Sequence, residues 1–233
     1  MTEKIISLPE FADKRLVFRN RDHAGQVLAQ MLKQEAWPDA IVLAIPAGNV
    51  PVGQGGAQKP GAAFDVAVVS KITLPWNTEA GYGAIAFDGS MRFNEMLLAR
   101  LNLTNQQMKE GIAETKEKVT RRSRTLRGQQ PFPDLSDRSA ILVDDGLASG
   151  FTMFCAIDAV KKAGARQVVV AVPTAHRQAA EAAGEMVDRL YCANLRSGRS
   201  FAVAEAYEHW SDVSEQELMD MMQDSQDKQT PGF

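Results

Sequence analysis

The stretch Ser-Ala-Ile-Leu-Val-Asp-Asp-Gly-Leu-Ala-Ser-Gly-Phe-Thr at positions 139–152 constrains the fold more than any other part of the chain. An apolar run stops on two acids, Asp144 and Asp145. A Gly-rich loop follows, and an apolar repeat at helical spacing then runs through Met153, Phe154, Ile157 and Val160. That order is a buried parallel strand, a tight loop and an amphipathic helix. Small residues let the loop's backbone N–H groups approach an anion, and the helix aims its positive end at the same place. The paired acids would repel that anion, so they require hydroxyls or a cation. A ligand with a phosphate at one end and a diol beside it satisfies both halves, as a ribose 5-phosphate does.

The rest of the chain supplies strands and helices around this unit. Apolar positions Ala24, Val27, Leu28, Met31 and Leu32 give a helix over 22–34, with Asp22 as N-cap. A strand at 41–45 leads into the turn Pro46-Ala47-Gly48-Asn49, and a helix starts in 50–57. The next strand is 64–69, ending at Ser70 and Lys71. Residues 73–83 are loop-like. Runs at 84–87 and 91–93 flank Asp88-Gly89, a hairpin signal. A helix covers 104–127, ends in basic residues and is capped by Gly128. After the central motif come a strand at 167–172 stopped by Pro173, a helix at 175–183, a strand at 187–193 and an edge strand at 201–206. A terminal helix at 214–223 opens with a Ser214–Glu217 capping box, and 224–233 is a polar tail. Strands alternating with helices predict an α/β fold with a doubly wound, mostly parallel sheet. Residues 1–223 are expected to form a single domain, with a small hairpin and helix insertion at about 73–130. Ligands bind such sheets at the carboxyl ends of the strands, here after Ile45, Val69 and Val143.

The central motif resembles the loop for phosphoribosyl pyrophosphate (PRPP) in type I phosphoribosyltransferases, and its Asp-Asp-Gly-Leu-Ala form is similar to one uncharacterised bacterial subgroup. The resemblance implies that Asp144 and Asp145 hold the ribose hydroxyls and that Gly146, Leu147, Ala148, Ser149, Gly150 and Thr152 wrap the 5-phosphate. Gly146 stands where most members carry an aliphatic residue. Ala47, Gly48 and Asn49 match the pyrophosphate loop, without its usual basic side chain. Lys71 matches a basic residue that contacts pyrophosphate. Arg121, Arg122 and Arg124, in the interval where the family has a flexible closing loop, are candidate contacts. The segments Phe18 to Asp22, Ala24-Gly25, Gly83-Ala84, Arg127-Gly128 and Tyr207 to Leu218 also look like that subgroup. The implied activity is transfer of a phosphoribosyl group from Mg2+-PRPP to a nitrogenous base or amine, with release of pyrophosphate. Asp144, Asp145 and Lys71 are the catalytic candidates. Hood segments from the N-terminus, hairpin or C-terminus would cover the acceptor, with Trp76 and Tyr82 as candidate stacking rings. The alternative is a non-catalytic PRPP or nucleotide sensor of the same fold, motivated by Ala47 and Ser70. A generic nucleotide-phosphate enzyme is weaker, since neither Gly-x-Gly-x-x-Gly nor a Walker lysine motif occurs.

Composition narrows the setting. Of 233 residues 45% are hydrophobic, enough for a sizeable core, and the net charge of −3 argues against coating nucleic acid. No apolar run is long enough for a bilayer and no signal peptide is visible. Two cysteines, Cys155 and Cys192, fit a reducing compartment. A cytoplasmic protein with small-molecule partners is expected, with no nucleic acid or membrane partner, and a homodimer as a candidate assembly. The three histidines are far apart and no metal-ligand cluster is visible. Both acids are expected at a solvent-facing strand end.

Overall fold

The computed structural model describes residues 4–37, 39–46, 52–53, 63–198, 200–211, 213–214 and 216–222. In chain order its elements are β1 (Ile5–Ser7), α1 (Arg21–Leu32), β2 (Ile41–Ala44), β3 (Ala63–Val66), β4 (Val69–Leu74), β5 (Asn77–Ala86), β6 (Met91–Phe93), α2 (Glu95–Leu98), α3 (Asn105–Arg127), β7 (Ser139–Val143), α4 (Phe151–Lys162), β8 (Gln167–His176), α5 (Arg177–Met186) and β9 (Arg189–Arg196). Six strands form a sheet in the order β1-β9-β8-β7-β2-β3, with every neighbouring pair parallel. Strands β2 and β7 are buried throughout, which is why their sequences are apolar rather than alternating. Leu43, Leu142, Val170 and Cys192 join the core on one face, and Val42, Ile141, Val169 and Tyr191 the core on the other. That is the period-two division of a strand.

From β2 the chain moves outward to β3, then returns to β7 on the opposite side and continues to β8 and β9. The direction reverses between β2 and β7, so their carboxyl ends splay apart and leave a crevice. Pro46 follows one strand and Asp144 the other.

A second sheet, β4-β5-β6, is antiparallel. It corrects the reading of one strand over 64–69 followed by a loop over 73–83. The Ala67 N–H still bonds to the Ala44 carbonyl at 2.9 Å, but the Ile45 N–H turns to Val143. The register of β3 on β2 runs to Val66 opposite Ala44, and Val69 pairs with Ala86 in the second sheet. Ser70 and Lys71 therefore lie inside a strand of the second sheet. The register slips twice between Ile72 and Leu74, and such irregular pairing erases the clean alternation that marks a strand. This sheet is tied to α4: Arg92 pairs with Asp158 at 2.8 Å, Lys162 with Asp88 at 3.2 Å, and the Cys155 thiol reaches the Ser90 carbonyl at 3.3 Å.

Four other readings are corrected. Strand β8 does not stop at Pro173; its ladder with β9 registers Val172 with Cys192 and Thr174 with Asn194, losing one donor and running on to His176. The helix expected at 175–183 accordingly begins at Arg177. Residues Val203–Ala206 form a 3-10 turn rather than an edge strand, because β1 already occupies the free edge of β9. The α1 cap is Asn20, whose side chain accepts from the His23 N–H at 2.9 Å, not Asp22. Helix α3 matches its expectation, with a Thr104–Gln107 capping box and Gly128 at φ 61°. Ser214 and Glu217 also cap each other ahead of the helical residues 216–222. The turn at Ala47, Gly48 and Asn49, most of 50–57, and the tail at 224–233 lie outside the described residues. Among the described residues no helix is long and apolar enough to cross a membrane.

Candidate functional site

The crevice between β2 and β7 opens into a cavity of about 550 Å3. Asp144, Asp145, Gly146, Leu147, Ala148, Ser149, Gly150 and Thr152 all line it, with Lys71 and Arg122. Arg121 and Arg124 do not: they line a separate groove beside Glu117. At 3.6 residues per turn, positions 121 and 124 lie roughly 100° and 160° around the helix from 122. Of the expected pyrophosphate loop only the preceding Ile45 and Pro46 are described, and both line the cavity.

Two features shape the loop after β7. Leu147 is buried and clamps onto the part of β8 that outruns β7, its N–H on the Thr174 carbonyl (3.0 Å) and its carbonyl accepting from the His176 N–H (2.9 Å). Gly150 then turns the chain at φ 79° into α4, a left-handed conformation natural to glycine. A Cβ there would also meet the Phe154 ring at 2.5 Å. The Phe154 N–H donates to the Gly150 carbonyl at 2.8 Å, closing the first turn of the helix. A helix leaves the N–H groups of its first turn without internal partners, and they and the dipole favour an anion. Gly146 has a local cause: a Cβ would lie 2.7 Å from a Val203 methyl. The aliphatic residue common at this position has no room under the 203–206 turn.

Asp144 is buried and Asp145 half-buried, so neither stands at the expected open strand end. Asp144 is 8% exposed, and the side chain of Asp145 is 16% exposed. The Asp145 N–H donates to Asp144 Oδ1 at 2.8 Å. Burial, then the negative charge of Asp145, pushes the Asp144 carboxyl well above the usual range, and Lys71 opposes the rise. Burial also raises Asp145, but the Arg21 guanidinium pulls it back.

Arg21 is the functional candidate that the sequence reading missed. Its Nε and Nη2 donate to Asp145 Oδ2 at 3.2 and 3.0 Å, and Nη1 donates to the Ser211 carbonyl. The guanidinium lies 3.9 Å from the centre of the Trp210 ring. Tyr207 donates its hydroxyl to the Asp145 carbonyl at 2.7 Å. The first residue of α1 and the C-terminal segment are thereby fastened to the second acid. The one hint was that Phe18 to Asp22 and Tyr207 onward both carry the subgroup resemblance; nothing in a separation of 124 residues announces the pair. Lys118 and Ser70 also line the cavity, as do Val203, Trp210 and Val213 from the C-terminal segment. Tyr82, considered as a stacking ring, is instead buried against Phe93, while Trp76 is 60% exposed.

The geometry defines a parallel α/β protein whose switch-point cavity sets a helix-opening loop against two carboxylates. Residues 89–210 match the family described as phosphoribosyl transferase domain, and the chain belongs to that family. It is 32% identical over 206 residues to proteins of Mycobacterium tuberculosis strains CDC 1551 / Oshkosh and ATCC 25618 / H37Rv, whose names provisionally call them phosphoribosyl transferases. The match covers 87% of this chain and 46% of theirs, so the chain spans about half the length of the curated relatives it matches. The crystal structure of TT1426 from Thermus thermophilus superposes with a TM-score of 0.70 at 29% identity, covering 90% of this chain and 99% of that one.

Proposed function

We propose that the cavity binds PRPP and that the chain transfers its phosphoribosyl group to a nitrogen of a base or amine, releasing pyrophosphate. One observation carries the reading: a buried carboxylate, a half-buried one beside it and the anion-accepting start of α4 face one cavity large enough for a sugar phosphate. The 5-phosphate would sit on the loop at 146–152, with Thr152 adding a hydroxyl. Asp145, whose carboxyl burial lifts and the Arg21 guanidinium pulls back, would accept a hydrogen bond from one ribose hydroxyl. Asp144, whose burial favours the protonated form, could donate to or accept from the other. In the transfer, the acceptor nitrogen forms a bond to the ribose anomeric carbon. The bond from that carbon to the pyrophosphate oxygen breaks, its electron pair leaves with pyrophosphate, and the acceptor's proton passes to water. Positive charge grows on the sugar ring as that bond weakens, and carboxylates held beside it favour that state.

Magnesium fits this site as a companion of the substrate. Among the described residues no group of three or more His, Cys, Asp or Glu could hold a metal. Two carboxylates are as many as magnesium usually takes when it keeps its waters and binds phosphate oxygens. Bound there, it would offset charge on the departing pyrophosphate. Val203, Trp210 and Val213 form the apolar wall against which a planar acceptor would rest.

The test is turnover of labelled PRPP with magnesium and a panel of purines, pyrimidines and amines. Base-dependent release of pyrophosphate supports the reading. Tight PRPP binding without turnover across the panel would favour a sensor, the reading that Ala47 in place of a basic residue motivates. Failure to bind PRPP at all would remove both.

A further inference from the structure

Among the described residues the six-stranded sheet ends at β1, which pairs on one side only, with β9. The Lys4 carbonyl accepts from the Leu190 N–H at 2.9 Å, and the Leu8 N–H donates to the Ala193 carbonyl at 3.3 Å. Backbone groups of successive strand residues face alternate sides. Lys4, Ile6 and Leu8 therefore address β9, and the N–H and C=O of Ile5 and Ser7 point out from the sheet edge. Such a row of groups is a template for a further strand. Ile5 and Ser7 also line a cavity of about 720 Å3, with Lys4 beside them and Arg177, Glu181 and Glu185 of α5 along one wall. Gly184 lets α5 come down on β1, since a Cβ there would lie 3.1 Å from Ile5 Cγ1. An open edge beside a trough walled by a helix has the shape that an added strand fills.

Charge identifies what the added strand belongs to. Arg177, Glu181 and Glu185 recur every four residues and so form one stripe of α5. The stripe runs against the helix dipole. Its cation is the first residue of the helix and Glu185 is the last but one, each at the end where its charge is disfavoured. A second α5 laid antiparallel sets Arg177 beside Glu185 twice and turns both misfits into ion pairs. Arg177 Nε donates to Ser197 Oγ at 2.8 Å, which fixes the side chain over the edge. A peptide of one charge sign would meet one favourable end and one unfavourable end of the trough, whereas a second copy of the chain meets two favourable ones.

We propose that β1 is an interface between two copies of this chain, which join antiparallel about a two-fold axis through Ile6 and continue one sheet into the other. In that register Ile5 faces the second copy's Ser7, Ser7 faces its Ile5, and each pair exchanges two N–H to C=O bonds. A slip of two residues would set Ile5 opposite Pro9, which has no N–H to give. β1 is three residues long, so this pairing uses every outward group of the strand, and an isologous contact of this kind closes on itself. Helix α5 lies over β1 and β9. Strands spaced about 4.8 Å apart across the joint bring the two α5 helices to about the 8–10 Å at which helices pack. The interface stands apart from the β2/β7 cavity and does not depend on what that cavity binds.

Sedimentation of the full chain over a range of concentrations tests the interface, with amide hydrogen exchange read at Ile5 and Ser7. The wild-type chain should dimerise, and both amides should exchange more slowly in the dimer than after dilution. Ser7→Pro removes a donor that β9 does not use, so it should raise the dimer Kd by roughly ten-fold or more while the dilute chain keeps its thermal midpoint. Arg177→Glu and Glu185→Arg should each weaken the dimer by roughly ten-fold, and the two together should restore most of the affinity, a recovery that a merely structural role would not give. A dimer indifferent to Ser7→Pro, a charge exchange whose two losses add, or amides whose exchange does not change with concentration would overturn the interface. A wild-type chain that stays monomeric at every concentration would overturn it too and leave the edge to a strand of another protein.

Discussion

Arg21→Met tests the electrostatic centre of the site. The substitution keeps most of the aliphatic stem and removes two donors from Asp145 Oδ2, at 3.2 and 3.0 Å, where the arginine and aspartate side chains are 10% and 16% exposed. Removing one partner of a buried pair typically costs about 3–5 kcal/mol, because the other charge is left uncompensated. Contact with Trp210 and the bond to Ser211 are lost as well. Asp145 can limit the loss by taking a proton. Burial already lifts its carboxyl, and Arg21 is the largest influence holding it down, so the variant's carboxyl lies higher still. A carboxyl raised in the folded state favours folding where it is protonated and penalises it where it is ionised. The deficit should therefore be small near pH 5 and approach about 3 kcal/mol near pH 8, about 6–12 °C in Tm for a chain of this size. Urea unfolding at both pH values reads it directly. In a double-mutant cycle with Asp145→Asn, which removes the charge, the coupling should exceed about 1 kcal/mol. A deficit that does not change with pH, or an additive cycle, would refute the argument and reduce Arg21 to packing.

Other outcomes follow from the same geometry. Asp144→Asn removes a buried group whose ionisation Asp145 opposes, so the unliganded chain should gain on the order of 1 kcal/mol at pH 8 and lose most of its affinity for ribose 5-phosphate, measured by scanning calorimetry and titration. The gain should vanish at pH 4, since a raised carboxyl penalises the fold only as pH climbs past its ordinary range. Gly150→Ala forces a Cβ against Phe154 at 2.5 Å and holds alanine at φ 79°; it should cost about 1–3 kcal/mol and lower affinity for inorganic phosphate, and wild-type urea curves would contradict it. Gly146→Val should destabilise by a similar amount through Val203, and Val203→Ala should recover part of the loss in the double variant.

Legibility of the fold followed burial. Strands β2 and β7 lie in the middle of the sheet, covered on both faces, and their continuous apolar runs made them readable. Helix α3 announced itself through its length, its helix-favouring composition and Gly128 at its end, while its Thr104–Gln107 capping box was not read. In the second sheet the β5–β6 hairpin was legible from Asp88-Gly89, whereas β4 and the start of β5 were hidden because their register slips and β5 is rich in glycine and polar residues, so composition mimicked a loop. β1 is too short at three residues to show any period. In the site, Asp144 to Thr152 were legible because strand, acids, loop and helix are contiguous. Arg21, Ser70 and Lys118 were not legible as one constellation, because only the fold brings α1, β4 and α3 to the same cavity. Likewise, the difference between Arg122 and its neighbours at 121 and 124 is a matter of helix rotation that a basic cluster alone does not disclose.

The central claim is that one cavity holds both ends of a ribose phosphate, the hydroxyls on Asp144 and Asp145 and the 5-phosphate on the loop that opens α4. A crystal structure of the chain with PRPP and magnesium tests it most directly. The account predicts the 5-phosphate on the N–H groups of residues 148–152 and the ribose hydroxyls within hydrogen-bond distance of the two carboxylates. Ligand density elsewhere, or a ribose turned away from Asp144 and Asp145 with the loop at 148–152 empty, would contradict it.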